Sequence, residues 1–189
     1  PVCSNYQHND SFPGSHPLAV GPLGYNGSKA AMELIAKADV VLALGTRLNP
    51  FSTLPGYGID YWPKNAEVIQ VDINADRIGL TKKVTVGIEG DATKVARAIL
   101  AQLADTAGDA GREDRRNLVS LTKSRWAQEL SSLDHEDDDP GTVWNEESRQ
   151  RDADLMSPRQ AWRAIQSALP KNAIISSDIG NNCAIGNAY

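Results

Sequence analysis

The sequence has few of the residues that build disulfide frameworks and metal centres. Its 189 residues include 2 cysteines and 3 histidines. Cys3 and Cys183 lie near opposite ends of the chain, so no disulfide framework is implied, which fits a reducing cytoplasm. His8, His16 and His135 are scattered without the spacing of metal ligands. The sequence therefore gives no support to a zinc site or a hydrolase triad.

Long apolar runs and an excess of positive charge are also missing. No apolar stretch approaches the roughly 20 residues of a membrane-spanning helix, and no signal peptide is visible. The formal net charge is -5, from 24 acidic and 19 basic residues, which argues against a nucleic-acid surface. The hydrophobic content of 41% is ordinary for a globular protein. We therefore expect a cytoplasmic protein with neither a membrane nor a nucleic acid as its partner.

The stretch 21–49 contains a complete structural unit. Glycines at 21, 24 and 27 mark a loop where the backbone turns tightly or approaches a neighbour closely. Ser28 is a candidate N-cap for an amphipathic helix at 28–38. The apolar run 40–44 predicts a strand that is covered on both faces, as in a parallel sheet.

The rest of the segment 1–104 also contains predicted strands, loops and a helix. The segment 1–5 could be a strand, and 6–20 reads as a loop. The segments 67–72 and 84–89 predict strands, the second nearer an edge, and a helix follows Gly90-Asp91. The proline- and glycine-rich segment 46–65 predicts an irregular loop, and loops of that length are more often functional than idle. Together these elements predict an α/β fold with a doubly wound, mostly parallel, Rossmann-like sheet.

The composition changes at residue 104. We assign 1–104 to one domain, 105–156 to a linker with a helix at 115–130, and 157–189 to the start of a second α/β domain. That start consists of a helix from Ser157-Pro158 and a buried strand at 173–177. Because the chain lacks an initiator Met and ends on an incomplete element, we expect a fragment whose first domain is truncated at its N-terminus.

Two loops after predicted strands could bind ligands, because α/β proteins bind ligands at the carboxyl ends of parallel strands. In the first, Gly45 and Arg47 could meet a phosphate or carboxylate, or could serve only as a turn and a structural ion pair. The second is 178–182, with a glycine and two amides. Asp72 could hold a ribose hydroxyl or could cap a helix.

Several segments resemble the thiamine-diphosphate-dependent enzymes of the acetolactate-synthase type. The segments GPLGYNGSKAA, ADVVLALGTRLN and EVIQVDINADRIG are similar to the middle domain of that family. The segment AIISSDIGNNCAIGNAY is similar to the opening of its diphosphate-binding domain. Within the family, GYNGSKAAM and NPFSTLPGYGIDYWP look most like the sulfoacetaldehyde acetyltransferase branch.

The resemblance implies a function and a cofactor site. It implies thiamine diphosphate with Mg²⁺ as cofactors, and sulfoacetaldehyde and phosphate as substrates. It maps contacts with the cofactor's diphosphate to Gly180, Asn181 and Asn182. The family's activating glutamate and its metal motif have no counterpart here, so we predict no catalytic residue and no metal ligand in this chain, and no activity of the chain by itself.

Other readings remain open. In some relatives the middle domain binds FAD or an adenine nucleotide, but no flavin fingerprint is present, so FAD is not expected and a scaffold with subunit contacts is favoured. The family places its cofactor between subunits, which implies a homo-oligomer. The alternatives are an acetolactate synthase that uses pyruvate and a free-standing Rossmann-like module that binds a nucleotide at Asp72 and the glycine loop.

Overall fold

The first two thirds of the chain contain parallel strands together with α-helices and short 3₁₀ turns. The computed structural model describes residues 1–5, 7–103, 111–133, 156, 158–177, 180, 183 and 185–186. The strands are β1 (Val2–Asn5), β2 (Ala19–Leu23), β3 (Val40–Leu44), β4 (Glu67–Asp72) and β5 (Val86–Glu89). The helices are α1 (Lys29–Ile35), α2 (Ala92–Leu103), α3 (Arg112–Leu133) and α4 (Pro158–Ala168). Short 3₁₀ turns occupy Asn9–Ser11, Pro50–Thr53 and Ala75–Arg77.

Both sheets are parallel. β4 lies between β3 and β5, with Val40 opposite Glu67 and Ile69 opposite Val86. β1 and β2 form a separate two-stranded sheet. Because the ends of parallel strands point the same way, the loops that follow β3 and β4 leave the same edge of their sheet. The predicted α/β class and the parallel pairing are confirmed.

β2 corrects the predicted start of the glycine loop. The strand runs through Gly21 and Pro22, where a loop was expected. The pairing passes from Val2 opposite Ala19 to Cys3 opposite Gly21, so β2 carries an extra residue at this point. Gly21 has a φ of +90°, which a residue with a side chain rarely adopts. The glycine therefore accommodates an irregularity within a strand, a role that its turn propensity does not reveal.

Helix α1 forms against the first core cluster. The Ser28 hydroxyl accepts a hydrogen bond of 3.3 Å from the N–H of Ala31, which confirms the predicted N-cap. The helix ends at Ile35, three residues before the predicted end. Its buried residues are Ala30, Ala31, Met32, Leu34 and Ile35. All of them except Ala30 belong to a cluster that also contains Val20, Leu23, Tyr61 and Val119.

Strand β3 has the predicted bounds but not the predicted burial. Val41 and Ala43 face the core, whereas Val40, Leu42 and Leu44 are each at least 40% exposed. The expectation that this strand is covered on both faces is therefore wrong for one face within the described part of the chain. The sequence shows that these residues are apolar, but it does not predict which element packs against each face of the strand.

Helix α2 shows the predicted stripe with less burial than expected. No residue of α2 is buried, although Val95, Ala96 and Ile99 are half-buried. Leu100 and Leu103 are exposed. Strand β5 is an edge strand as predicted and begins two residues later than expected.

The chain divides into two compact units, Pro1–Lys123 and Ser124–Tyr189. In the second unit, α4 begins at the proline that the sequence marked as its first helical residue. The strand predicted at 173–177 is not formed by these described residues, and Ile174 is 98% exposed. A strand needs a neighbour that completes its hydrogen bonds, and no described strand lies beside this segment.

None of the described helices combines the length and the apolar character needed to cross a membrane.

Candidate functional site

The loops that follow β3 and β4 are joined by a buried amide. Gln70 lies in β4 and is 1% exposed. Its Nε2 donates hydrogen bonds to the carbonyl oxygens of Thr46 (3.0 Å) and Arg77 (3.1 Å). Its Oε1 accepts a hydrogen bond of 2.9 Å from the N–H of Gly79. One side chain therefore fixes the loop after β3 to the turn after β4.

A second polar residue completes this link. The Thr81 hydroxyl lies 3.0 Å from the carbonyl oxygen of Arg47 and 2.6 Å from that of Leu48, so its proton is shared between two acceptors. Leu48 is buried at a φ of +51°, a left-handed conformation that a leucine rarely adopts. Neighbouring contacts hold this strained residue in place.

A groove of about 490 Å³ lies beside these loops. It is lined by Gln7, Arg47, Asn49, Pro50, Phe51, Leu80 and Thr81. The Asn49 side chain is engaged in capping the next turn, since its Oδ1 accepts a hydrogen bond of 2.9 Å from the N–H of Ser52. Arg47 thus supplies the positive charge on the lining of this open groove.

The two readings of the loop at 45–47 are resolved in part. Gly45 has a φ of +63°, and its N–H donates a hydrogen bond of 2.8 Å to the carbonyl oxygen of Val71, so it does serve the turn. Arg47 forms no ion pair with any residue that the structure describes. Its side chain lines the groove, where a guanidinium could bind an anion.

Asp72 has a capping role in the structure, which is one of the two roles considered for it. Its side chain is buried, and Oδ1 accepts a hydrogen bond of 2.9 Å from the N–H of Asn74. The carbonyl oxygen of Asp72 accepts a hydrogen bond from Gly90. The carboxylate therefore caps the turn after β4.

Protein groups fill the space beside the glycine loop. The hydroxyl of Tyr61 accepts a hydrogen bond of 3.1 Å from the N–H of Gly24. The hydroxyl of Tyr57 donates a hydrogen bond of 2.8 Å to the carbonyl oxygen of Gly27. A Cβ on Gly24 would lie 2.7 Å from the Cα of Ser52 and would clash with the carbonyl oxygen of Phe51. The close approach predicted for this loop is therefore to the segment 51–61, which argues against the nucleotide module of the alternative reading.

Two ionisable groups of this region are kept neutral by burial. Burial raises the pKa of the Tyr61 phenol to about 12, although the hydrogen bond from Gly24 opposes the rise in part. Burial likewise raises the pKa of the Cys3 thiol to about 11. A thiol held in this form is a poor nucleophile. Tyr61 belongs to the first core cluster, and Cys3 packs against it.

The second candidate loop is described only at Gly180. This residue has a φ of +142°, is exposed, and would have nothing within 4 Å of an added Cβ. Asn181 and Asn182 lie outside the described residues. The described residues therefore leave open space beside the Gly180 backbone, and a backbone contact with a phosphate requires such space.

The described residues contain no group of three His, Cys, Asp or Glu side chains that could hold a metal ion.

The first half of the chain matches a known family. Residues 1–99 fit the family model described as the thiamine pyrophosphate enzyme central domain. The chain belongs to the thiamine pyrophosphate enzymes. The match ends within α2, so it includes the groove at Arg47 and excludes Gly180.

Curated relatives add detail to this assignment. The whole chain is 79% identical to a protein of Rhizobium meliloti named probable sulfoacetaldehyde acetyltransferase and 77% identical to a sulfoacetaldehyde acetyltransferase of Roseovarius nubinhibens, covering 32% and 31% of those proteins. A probable acetolactate synthase large subunit of Methanocaldococcus jannaschii is 38% identical over 54% of the chain and 17% of that protein. The chain thus spans about a third of the length of the sulfoacetaldehyde acetyltransferases that it matches.

Three residues of this region were not anticipated from the sequence. Gln70 had a recognisable signal, because it is an amide within the otherwise apolar run VIQV of a central strand, where a buried polar group must find partners. Tyr61 and Thr81 had none, since their partners lie 37 and 33–34 residues away.

Proposed function

We propose that this chain is part of a thiamine-diphosphate-dependent acetyltransferase that converts sulfoacetaldehyde and phosphate to acetyl phosphate and sulfite. The observation that carries the proposal is similarity along the whole chain, at 79% and 77% identity, to proteins that bear this name. Identity at this level includes the loops as well as the core, and the loops distinguish enzymes that share a fold.

The proposed reaction balances without an external oxidant. The carbon–sulfur bond of sulfoacetaldehyde breaks, and its electron pair leaves with sulfite. The aldehyde carbon is oxidised to the acyl level while the neighbouring methylene is reduced to a methyl group. A phosphate oxygen then forms the new bond to the acyl carbon, and acetyl phosphate is released.

The cofactor's diphosphate is assigned to the loop 180–182. Gly180 fits this role because the space beside its Cα is open and its positive φ suits glycine. The amides of Asn181 and Asn182 would donate hydrogen bonds to phosphate oxygens without burying a charge. When bound, thiamine diphosphate supplies an electron sink that allows the aldehyde carbon to react. Mg²⁺ belongs to this proposal as the diphosphate's counter-ion, with its ligands elsewhere in the protein.

The unit 1–123 is assigned to scaffolding and subunit contact in a cytoplasmic homo-oligomer. Tyr57, Tyr61 and Gln70 hold its loops by hydrogen bonds within the protein, so these loops keep their shape without a ligand. FAD is not part of the proposal.

An acetolactate synthase is the second candidate. It is favoured by the 38% identity over 103 residues to the Methanocaldococcus jannaschii protein. That match covers a smaller part of the chain at a lower identity than the matches above.

The deciding experiment uses the complete gene product with thiamine diphosphate, Mg²⁺ and phosphate. Sulfite release from sulfoacetaldehyde is measured beside the consumption of pyruvate. We expect sulfite release that depends on both phosphate and the cofactor. Pyruvate consumption without sulfite release would move the protein to the acetolactate synthases, and the absence of both activities would refute the two candidates together.

A further inference from the structure

We draw no further inference here: the strongest candidate, the groove at the carboxyl ends of β3 and β4 that is lined by Arg47, Asn49 and Thr81, coincides with the place where central domains of this family bind FAD or an adenine nucleotide and so restates an established property of the family.

Discussion

The hydroxyl of Tyr61 accepts a hydrogen bond of 3.1 Å from the backbone N–H of Gly24, and it thereby connects two loops that are 37 residues apart in the chain. The Tyr61 side chain is 1% exposed, so water cannot replace this hydroxyl as the acceptor. A buried N–H that loses its partner costs about 1–3 kcal/mol. This contact is therefore one of those that hold the glycine loop closed.

Tyr61→Phe is expected to make the glycine loop open more easily. Local opening at Gly24 should become easier by about 1–3 kcal/mol, because the N–H is left buried without a partner. Amide hydrogen exchange in a peptide covering residues 19–32 should then accelerate by about fivefold or more. The control is Tyr57→Phe, which removes a hydroxyl from an exposed side chain of the same loop and should change the exchange of Gly24 much less. Equal protection of Gly24 in the unsubstituted protein and Tyr61→Phe would contradict this account.

Gly24→Ala should be among the most destabilising small substitutions in the chain. Gly24 has a φ of +81°, and its new Cβ would press on the backbone of Phe51 and Ser52. Gly58→Ala is the matched control, since Gly58 has a φ of +70° with nothing within 4 Å of an added Cβ. Strain alone should cost about 1–2 kcal/mol at Gly58, whereas overpacking should add about 1–3 kcal/mol at Gly24.

Urea unfolding of the two glycine variants measures this difference. We expect Gly24→Ala to unfold at a much lower urea concentration than Gly58→Ala. If Gly24→Ala yields no soluble protein while Gly58→Ala is obtained in normal yield, that result would also support the packing argument. Similar midpoints for the two variants would show that the loop segment at 51–52 can move away, and the packing argument would fail.

Gln70→Glu tests the link between the loops after β3 and β4. The substitution places a carboxyl beside the carbonyl oxygens of Thr46 and Arg77, where the amide was a donor. Burial beside two acceptors favours the protonated acid, so the folded-state pKa of this carboxyl should rise above its unfolded value of about 4.3. A carboxyl whose pKa is higher in the folded state lowers the free energy of unfolding. This loss is smallest below the pKa in the unfolded state, and it grows as the pH rises through the pKa in the folded state.

The measurement is the free energy of unfolding at pH 4.5 and pH 7, each compared with the unsubstituted protein at the same pH. The deficit of Gln70→Glu should be larger at pH 7 by about 1 kcal/mol or more. Gln7→Glu, at an exposed position on the groove, is the control and should show little such change. A deficit of Gln70→Glu that is independent of pH would rule out the buried environment described for this side chain.

These residues show how far the sequence determines the structure. The periodicity of apolar residues was sufficient for β4 at 67–72, for the start of α4 and for the N-cap at Ser28, because each depends on neighbours within a few positions. Burial depends on the rest of the fold instead. The exposed face of β3 and the segment at 173–177, which pairs with no described strand, are therefore two of the places where the prediction was wrong.

The candidate site was predicted by its position in the fold, and its internal geometry was not. Arg47 follows a parallel strand and lines a groove, as the general rule for α/β proteins suggests. The hydrogen bonds of Gln70 and Thr81 depend on which loops the sheet brings together. The spacing of residues along the chain does not predict which loops are adjacent.

Alkaline pH should weaken the first unit through Cys3. Burial raises the pKa of this thiol from 9.0 to about 11. The unfolded chain therefore releases the proton at a lower pH than the folded chain does. The protonated Cys3 thiol therefore makes its full contribution to the free energy of unfolding below pH 9, and this contribution is lost as the pH rises towards 11.

Cys3→Ala isolates this contribution. The difference in unfolding free energy between the unsubstituted protein and Cys3→Ala should fall steadily between pH 9 and pH 11. Cys183→Ala keeps the Cys3 thiol and should follow the pH dependence of the unsubstituted protein. A difference between Cys3→Ala and the unsubstituted protein that stays constant over this range would mean that Cys3 is not held in its neutral form.

Gly180→Ala tests the proposed diphosphate contact in the complete gene product. The added Cβ strains a backbone with a φ of +142° and occupies the side from which a phosphate would approach. Loss of one backbone hydrogen bond to the diphosphate is worth about 1 kcal/mol, so the apparent Kd for thiamine diphosphate should rise by about fivefold to tenfold. Gly58→Ala is the control for strain, because Gly58 also has a positive φ and open space around it and has no assigned contact with the cofactor. A Kd for thiamine diphosphate that rises equally in both variants, or in neither, would remove Gly180 from the cofactor site and leave the family assignment unaffected.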